Sequence, residues 1–538
     1  MKKIIECVPN FSEGRNEDVI NAISSAICKI KGCTLLDVDP GKSTNRTVYT
    51  FVGDPDSIIE GALAGARIAR DRIDMRNHTG EHPRFGAMDV CPFIPVTGVT
   101  MEECSLVAEK FAKRAAQELN VPFFLYEESA HSNYRKKLPD IRRGEYEGLK
   151  ERLQDSLWKP DFGPSEFIPT WGATATGARM FLIAYNVNIL GTANQAHRIA
   201  LNLREAGRGK NQPGTLKEVK GMGWFVDEYN MAQVSVNLNN YHVTPMHVLF
   251  EEVKREAKSL NVGVAGSEIV GIVPLEAILM AADYYIEKEN LFIYEEDRKI
   301  RLAIERMGLN SVVPFNPKGK IIEYIVAEPM DEPLASMGVR EFIEEIASRT
   351  PTPGGGSAAA VMAAMGTGLG AMAAKLTYGV RKFEYQEKYM RKIIPILHDL
   401  TEKLIPLIDA DTAAYNEYMQ ALGMPRKTEK EKADRSVAIQ AALENAIKIP
   451  LTTMRLGDAA WDSICDTAKY SNPASKSDVE VGARALETGI WGAFRNVMIN
   501  IKNIKGNPYT RKIIQEAEVI EKRSRKKYSE IISILEKK

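Results

Sequence analysis

The character of this sequence changes beyond the middle of the chain. Up to about residue 325, short β-rich runs alternate with amphipathic helical stretches, a pattern typical of helices laid on sheets. The clearest β-rich runs are Thr47–Val52, Cys91–Val96, Phe181–Ile189 and Gln233–Asn237. From Val339 onward almost no strand signal remains, and long helical runs rich in Ala, Met, Leu and Ile dominate. We therefore expect a multidomain chain, with an α/β half followed by an all-α half.

Domain limits follow from the same pattern. With 538 residues, the chain exceeds the size at which a single hydrophobic core usually divides. A strand–helix–strand pattern starts again at Phe181, with a helix predicted over Ala193–Glu205, so two similar α/β subdomains are predicted at residues 1–178 and 179–326. Pro329 and Pro333 fall in a stretch without helical periodicity, which predicts a linker at residues 327–336. Residues 337–538 are then expected to form the helical domain.

Charge and apolar content limit the classes of partner. The 71 lysine and arginine residues balance 71 aspartate and glutamate residues, so nothing suggests nucleic acid or an anionic membrane as a general partner. The small-residue-rich stretch Ser357–Gly379 contains too many glycine and polar residues for a membrane span and predicts a buried helix of a bundle. Met1–Cys7 is interpreted as a first strand and not as a signal peptide. The six cysteines form no CxxC pair, which favours reduced thiols and a cytoplasmic protein.

The densest polar segment in the first half is Arg76–Asp89. His78 and His82 are four residues apart and could share a helix face to bind zinc, but Gly80 and Pro83 weaken any helix there. A loop that places one imidazole over a pocket, with neighbouring charged side chains to orient it, is the preferred interpretation. A loop histidine without a catalytic role remains open.

Two other loops of the first half have unusual compositions. Asp37–Arg46 lies between two strand-like runs, where α/β folds commonly carry ligand groups, although it could equally be a tight turn. Gly163–Gly172 contains two prolines, two glycines and two aromatic residues, a composition suited either to a flat ligand or to a stiff connector.

In the second half, three glycines precede the small-residue helix. In the segment Thr350–Ser357, backbone N–H groups at Gly354, Gly355 and Gly356 could meet an anion or the edge of a ligand ring, and Ser357 could cap the helix. A glycine-rich linker is the alternative. Nucleotide binding is disfavoured because the lysine of a P-loop is missing.

A carboxylate interrupts an apolar stripe further along. Steps of three and four residues connect Leu404, Ile408, Tyr415, Tyr418 or Met419, and Leu422, and they require a member at position 411, which is Asp411. We expect this acid to point inward and to have a raised pKa, whereas Asp409 is expected to be solvated on the far side. An Asp411 paired with a buried cation for structural reasons is the alternative.

Several segments of the first half resemble a known family. VPNFSEGR (8–15), STNRTVYTFVGDP (43–55), HTGEHPRFGAMDVCPFIP (78–95), WGATATGARMFLIAYNVN (171–188) and KENLFIYEED (288–297) are similar to the formiminotransferase domain of the formiminotransferase–cyclodeaminase family. The resemblance implies two ferredoxin-like α/β subdomains with folate between them and a catalytic histidine at His82. It also places an acidic residue of the cleft at Asp39. The folate-binding loop that it implies consists of Gly163, Pro164, Ser165, Glu166, Phe167, Ile168, Pro169, Thr170, Trp171 and Gly172.

The second half resembles the cyclodeaminase domain of the same family. The similar segments are PTPGGGSAAA (351–360), DADTAAY (409–415) and SDVEVGARALETGIWGAFRNVMINI (477–501). The resemblance implies an all-α bundle whose proton donor falls in the DADTAAY segment, where the stripe argument favours Asp411 over Asp409. The substrate-binding residues expected in this half are Gly354, Gly355, Gly356 and Ser357.

The resemblance implies a bifunctional folate enzyme of histidine degradation. Its substrates would be formiminoglutamate and tetrahydrofolate, the latter with or without a polyglutamate tail, and no metal site is predicted. We expect a homo-oligomer built from dimers that requires neither nucleic acid nor a membrane. Two alternatives stay open: a helical half that acts as a methenyl-tetrahydrofolate cyclohydrolase, and a non-catalytic self-assembling scaffold.

Overall fold

The computed structural model describes residues 3–42, 44–80, 84–209, 211–326, 332–502 and 508–537. The chain divides into two compact units, Met1–Ala327 and Glu328–Lys538. The first unit is mixed α/β and the second is all-helical in its described residues, as the change in sequence character predicts. Each unit contains its own predicted site.

The first unit begins with a sheet covered by helices on one face. Its strands lie in the order β1-β4-β2-β5-β7-β6, with β3 paired to β4, and all pairings are antiparallel except those of β7 with β5 and β6. Apolar residues at helical spacing on α1, such as Ile20, Ile23 and Ile27, bury against this sheet, and Asn16 caps the helix N-terminus. The elements are β1 (Ile4–Cys7), β2 (Asn10–Phe11), α1 (Glu17–Cys28), β3 (Cys33–Gly41), β4 (Arg46–Gly53), α2 (Ser57–Arg72), β5 (Met88–Thr97), α3 (Met101–Leu119), β6 (Phe123–Leu125), α4 (Leu138–Ile141), α5 (Leu149–Arg152) and β7 (Thr174–Ala178).

A second, four-stranded antiparallel sheet follows, with strand order β11-β8-β10-β9. Alternation along β8 buries Tyr185 and Val187 in the apolar core and leaves Asn186 and Asn188 on the opposite face. The elements are β8 (Ile183–Leu190), α6 (Ala193–Leu203), β9 (Val219–Val226), β10 (Met231–Leu238), α7 (Met246–Ser259), β11 (Gly263–Val270), α8 (Leu275–Lys288), α9 (Glu296–Met307), α10 (Pro317–Lys320) and α11 (Ile322–Ile325). The four predicted β-rich runs all fall mainly within observed strands, and the predicted helix starts at Ala193 as expected.

The second unit is a bundle in which the small-residue helix packs closely on a neighbour. A Cβ added at Gly489 of α17 would lie 2.6 Å from the backbone nitrogen of Ala363 on α13, so the two helices touch through backbone atoms. Helix α13 is long and apolar enough to cross a membrane by length and composition, but 61% of its apolar window is buried inside the unit. The helices are α12 (Val339–Ile346), α13 (Gly355–Lys375), α14 (Glu387–Leu404), α15 (Leu407–Gly423), α16 (Glu429–Tyr470), α17 (Lys476–Ile501) and α18 (Pro508–Glu536).

Candidate functional site

The polar segment of the first unit lies beside the ends of β2 and β4. His82, the predicted acid/base residue, lies outside the described residues, and its sequence neighbours on both sides take part in the polar contacts of this segment. Ser12 donates hydrogen bonds to this segment from its hydroxyl to Gly86 O (2.8 Å) and from its backbone N–H to Ala87 O (2.9 Å). Asn45 donates to Thr79 O at 3.0 Å. The two sequence motifs that contain Ser12 and Asn45 therefore hold the histidine-containing segment in place.

Asp89 lies at the base of this arrangement. Its carboxylate is 1% exposed and accepts the backbone N–H of Phe85 at 2.9 Å. Its other oxygen, Oδ2, pairs with Arg142 and also lies 3.5 Å from Nη2 of Arg46. Arg46 donates in addition to Asn10 Oδ1 at 2.7 Å. The buried Asp89 carboxylate thus pairs with two nearly buried guanidinium groups, those of Arg46 and Arg142.

His78 is buried and hydrogen-bonded to main chain. Its Nε2 lies 2.7 Å from Asn45 O, so this nitrogen carries the proton and donates it. Burial lowers the pKa of His78, and the nearby Arg84 guanidinium lowers it further against the opposing effect of the Asn45 carbonyl. His78 is therefore neutral near pH 7, and its Nε2 is not open to a metal ion. In the part of the chain that the structure describes, no group of three or more His, Cys, Asp or Glu side chains could hold a metal.

The predicted folate loop Gly163–Gly172 packs against the same segment. Ala87 donates its backbone N–H to Trp171 O at 2.7 Å, and Met75 donates to Thr170 O at 3.1 Å. The Trp171 indole is fully buried in the core and donates to Thr174 Oγ1 at 3.1 Å, so its ring does not offer the open flat surface that the composition suggested. Phe167 remains half-buried, with its ring 5.4 Å from that of Tyr146.

Asp39 lies on the edge strand β3, which among the described strands pairs only with β4. It is exposed and pairs in register with Val48 of β4, which in turn pairs with Asn10 of β2. Residues directly opposite on neighbouring strands share a sheet face, so Asp39 projects from the same face as Asn10, about 10 Å away across two strand spacings. The structure therefore places Asp39 on the same sheet face as Asn10 but not in contact with Asp89.

In the second unit, Asp411 lies directly over the first turn of α13. A Cβ added at Gly356 would lie 2.1 Å from Asp411 Oδ1, so only a glycine leaves room for this carboxylate. Asp411 is half-buried, and burial raises the pKa of its carboxyl while the Ser357 backbone and hydroxyl lower it. The Ser357 hydroxyl also donates to Ile408 O at 2.8 Å. The structure thus brings the glycine segment and the predicted acid together.

Asp409 contradicts the prediction that it is solvated on the far side of the helix. It is half-buried, and its oxygens accept the backbone N–H groups of Leu334 at 2.7 Å and Ala335 at 3.0 Å. The reason is that the segment before α12 folds back over the start of α15, which the periodicity of α15 alone could not reveal. Asp409 holds this segment in place.

The second half of the predicted apolar stripe is also wrong. Met419 is 48% exposed and Leu422 is 36% exposed, whereas α15 buries Ile408, Ala414 and Ala421. Both exposed residues lie on the same uninterrupted helix as Ile408, and the buried face of its later turns runs through Ala414 and Ala421, one position before Tyr415 and Leu422. Only the start of the stripe, which contains Asp411, faces the bundle.

One residue near this site escaped the sequence prediction. A Cβ added at Gly355 would lie 3.7 Å from Nδ2 of Asn496, which donates to Gly492 O on its own helix at 2.9 Å. Asn496 is half-buried on α17. It lies inside the third segment that resembles the cyclodeaminase domain, and this is the signal that could have identified it.

Comparison with known proteins agrees with this division of the chain. Residues 4–179 match the family described as formiminotransferase domain, N-terminal subdomain; residues 184–327 match formiminotransferase domain; and residues 338–519 match formiminotransferase-cyclodeaminase. A formimidoyltransferase-cyclodeaminase of Dictyostelium discoideum is 58% identical over 537 residues, which cover 99% of each chain.

Relatives of the single halves also exist. A glutamate formimidoyltransferase of Streptococcus pyogenes is 41% identical over 297 residues, which cover 55% of this chain and 97% of the relative. A methenyltetrahydrofolate cyclohydrolase of Methylorubrum extorquens is 32% identical over 180 residues, which cover 34% of this chain and 86% of the relative.

Proposed function

The chain belongs to the formiminotransferase-cyclodeaminase family, and from this membership we infer that it is a bifunctional folate enzyme of histidine degradation. Its first half transfers the formimino group of N-formimino-L-glutamate to N5 of tetrahydrofolate. Its second half cyclises the resulting 5-formimidoyl-tetrahydrofolate to 5,10-methenyl-tetrahydrofolate and releases ammonia. The full-length match carries this conclusion, because it covers both halves in one relative.

His82 is the proposed acid/base residue of the transfer. N5 of tetrahydrofolate attacks the formimino carbon and loses its proton, and the glutamate nitrogen then leaves with a proton added. A single group with a pKa near neutrality can perform both steps, and an imidazole is the natural choice. His78 is neutral near pH 7 and its Nε2 is bonded to Asn45 O. We therefore assign the acid/base role to His82, the other histidine of this segment.

The proposed folate-binding residues are the loop Gly163–Gly172 and Asp39. The loop's backbone hydrogen bonds with Met75 and Ala87, which lie on either side of His82 in sequence, support a folate bound on the loop near the proposed acid/base residue. Each sheet of the first unit contains a β-α-β-β-α-β succession, and the second sheet has the outer strands β11 and β9 around β8 and β10. We assign both subdomains to the ferredoxin-like class on this topology.

Asp411 is the proposed acid of the second reaction. N10 attacks the formimino carbon of 5-formimidoyl-tetrahydrofolate and loses its proton, giving a carbon bonded to N5, N10 and an amino group. Protonation of that amino group by Asp411 lets ammonia leave and the N5–C double bond form. Asp411 suits this role because burial favours its protonated form. Asp409 is unsuited to it, because both its oxygens accept backbone N–H groups. The glycine segment Gly354–Ser357 is the proposed contact for the folate.

A second candidate for the helical half is a methenyl-tetrahydrofolate cyclohydrolase, which the Methylorubrum relative favours. The two activities consume different folates, so ammonia release separates them. A cyclodeaminase liberates ammonia from 5-formimidoyl-tetrahydrofolate, whereas a cyclohydrolase only adds water to methenyl-tetrahydrofolate.

Substitution of the proposed acid/base residue tests the transferase assignment. We expect His82→Gln to lose formimino transfer by about 10²–10⁴-fold, the usual contribution of general acid–base catalysis, while ammonia release from supplied 5-formimidoyl-tetrahydrofolate continues. His131→Gln is the control, since this exposed histidine lies in the same unit. Near-normal transfer by a folded His82→Gln enzyme would refute the role.

The substrates, the cellular location and the oligomeric state complete the proposed function. Tetrahydrofolate acts as a co-substrate, with or without a polyglutamate tail, and the other substrate is formiminoglutamate. The enzyme is proposed to be soluble and cytoplasmic, and to work as a homo-oligomer built from dimers without nucleic acid or a membrane.

A further inference from the structure

Asp411 lies at the N-terminus of α13 and acts there as a cap. The cap residue of this helix is Gly354, which has no side chain, and the first intrahelical hydrogen bond runs from Ala358 N–H to Gly354 O. The backbone N–H of Ser357 therefore has no acceptor within its own helix. It is donated to the Asp411 carboxylate, which reaches it from α15. An acid from a neighbouring helix thus satisfies the start of α13.

The hydroxyl of Ser357 has one proton and two acceptors. Ser357 is fully buried, and its Oγ donates to Ile408 O at 2.8 Å and also hydrogen-bonds to the Asp411 carboxylate. The hydroxyl of Thr412 lies 3.2 Å from this Oγ and can donate to it. Because a serine hydroxyl supplies a single proton, Ile408 O and the Asp411 carboxylate compete for it.

Charged side chains do not adjust Asp411 in the described part of the bundle. Helix α13 has no charged residue before Lys375, and Asp409 on α15 has both oxygens bound to backbone N–H groups of the segment before α12. Helix α15 packs on α13, α14 and α16, and none of their described charged side chains shifts the pKa of Asp411. Burial raises this pKa, and Ser357 lowers it. Ser357 is therefore the polar residue that opposes the effect of burial.

We propose that Ser357 is a positioning residue for Asp411, and that its hydroxyl turns from Ile408 O to the carboxylate when Asp411 gives its proton to the leaving amino group. This assignment rests on the proposed cyclodeaminase function. In that step the C–N bond breaks, its electron pair leaves with ammonia, and the N5–C double bond forms. Ser357 keeps its own proton and stabilises the new carboxylate through a charge-assisted hydrogen bond. It thus favours proton release from an acid that burial alone would hold protonated.

Removal of the hydroxyl tests the proposal. We expect Ser357→Ala to lower kcat for ammonia release from 5-formimidoyl-tetrahydrofolate by about 10–100-fold, the usual effect of losing a hydrogen bond to a charged group. A general acid is active below its pKa, and loss of this donor raises the pKa of Asp411, so the decline in rate at high pH should move to higher pH. Ser357→Thr keeps the hydroxyl and should retain the wild-type pH profile. The matched control is Thr467→Val, which also removes a fully buried helix hydroxyl that donates to a backbone carbonyl at 2.8 Å, and it should change neither quantity.

A double variant separates this role from a purely structural one. In the Asp411→Asn background, Ser357→Ala should lower the residual rate by less than about twofold, because the carboxylate that the hydroxyl stabilises is missing. An equal loss in both backgrounds, a wild-type pH profile in Ser357→Ala, or an equal change in Thr467→Val would overturn the proposal.

Infrared spectroscopy tests the contact without turnover. The C=O stretch of the protonated Asp411 carboxyl is the band that Asp411→Asn lacks, and we expect it to disappear at higher pH in Ser357→Ala than in the wild type. Ser357→Cys, whose thiol is a weaker donor, should shift the band in the same direction and serves if Ser357→Ala does not fold. Titrations that coincide with the wild type would overturn the proposal. If the band shifts but the wild-type enzyme releases no ammonia, the proposed function fails instead.

Discussion

At the scale of single residues, the second site depends on the missing side chain at position 356. A Cβ there would lie 2.1–2.3 Å from all three carboxylate atoms of Asp411, much closer than real contacts allow. At the preceding position, Gly355, the nearest atom would be Nδ2 of Asn496 at an ordinary 3.7 Å. A Cβ would therefore clash at position 356 but fit at the adjacent position 355.

This difference gives a matched pair of variants. We expect Gly356→Ala to displace the Asp411 carboxylate and to reduce ammonia release from 5-formimidoyl-tetrahydrofolate by about 10²-fold or more, the contribution of a lost general acid. Gly355→Ala keeps the backbone N–H that is proposed to contact the folate, and its Cβ would meet no atom closer than 3.7 Å, so this variant should keep most of the activity. Formimino transfer should survive in both variants. Equal ammonia release by the two variants would show that Asp411 is not held against Gly356 during the reaction.

The sequence predicted part of each site. The inward position of Asp411 was predictable, because it occupies an apolar step one turn after Ile408 on the same helix. The two contacts of Asp409 were not, because they come from Leu334 and Ala335, which are far away in sequence. Arg142 was missed for the same reason: it lies in a loop without a distinctive motif and reaches Asp89 only in the folded chain.

At the scale of helices and strands, prediction succeeded where large apolar residues mark the buried face. The alternation of β8 and β10 is set by burial of one face, so their positions could be read from sequence. The predicted stripe fails at Met419 and Leu422 although α15 is uninterrupted from Leu407 to Gly423, because its later turns bury Ala414 and Ala421 instead. The spacing of large apolar residues does not show that a neighbouring helix covers small ones.

The packing of α7 on α8 provides a pH-dependent prediction. His247 of α7 stacks on Tyr284 of α8 with ring centroids 4.5 Å apart, and burial lowers the pKa of His247 to about 4. An unfolded histidine has a pKa near 6.5. The unfolded state therefore takes up a proton first, so this contribution to stability is complete above about pH 6.5 and is lost as the pH falls toward 4.

We expect the free energy of unfolding of the first unit to fall by about 2–3 kcal/mol between pH 6.5 and pH 4.5 because of this histidine. His247→Phe keeps the ring stack but cannot be protonated, so its stability should change less over the same range. Tm measured against pH for both proteins checks this. Parallel curves would contradict the assigned pKa.

At the scale of the whole molecule, the chain joins two units that each contain a complete set of proposed groups. The change in sequence character predicted this division. A segment in which strands alternate with helices forms helices packed on a sheet, whereas a segment of long helices forms a bundle, so we expect the two to fold as separate units. Joining two sites raises the effective concentration of an intermediate that both use. The account therefore requires two activities that can be abolished separately within one chain.

The most direct test supplies purified enzyme with tetrahydrofolate and formiminoglutamate, and measures ammonia release together with the absorbance of methenyl-tetrahydrofolate. The same assay is run on Asp411→Asn. We predict both products from the wild-type enzyme, and from the variant only glutamate and 5-formimidoyl-tetrahydrofolate, with ammonia release lost. Undiminished ammonia release by Asp411→Asn, or no product from the wild-type enzyme, would contradict the account.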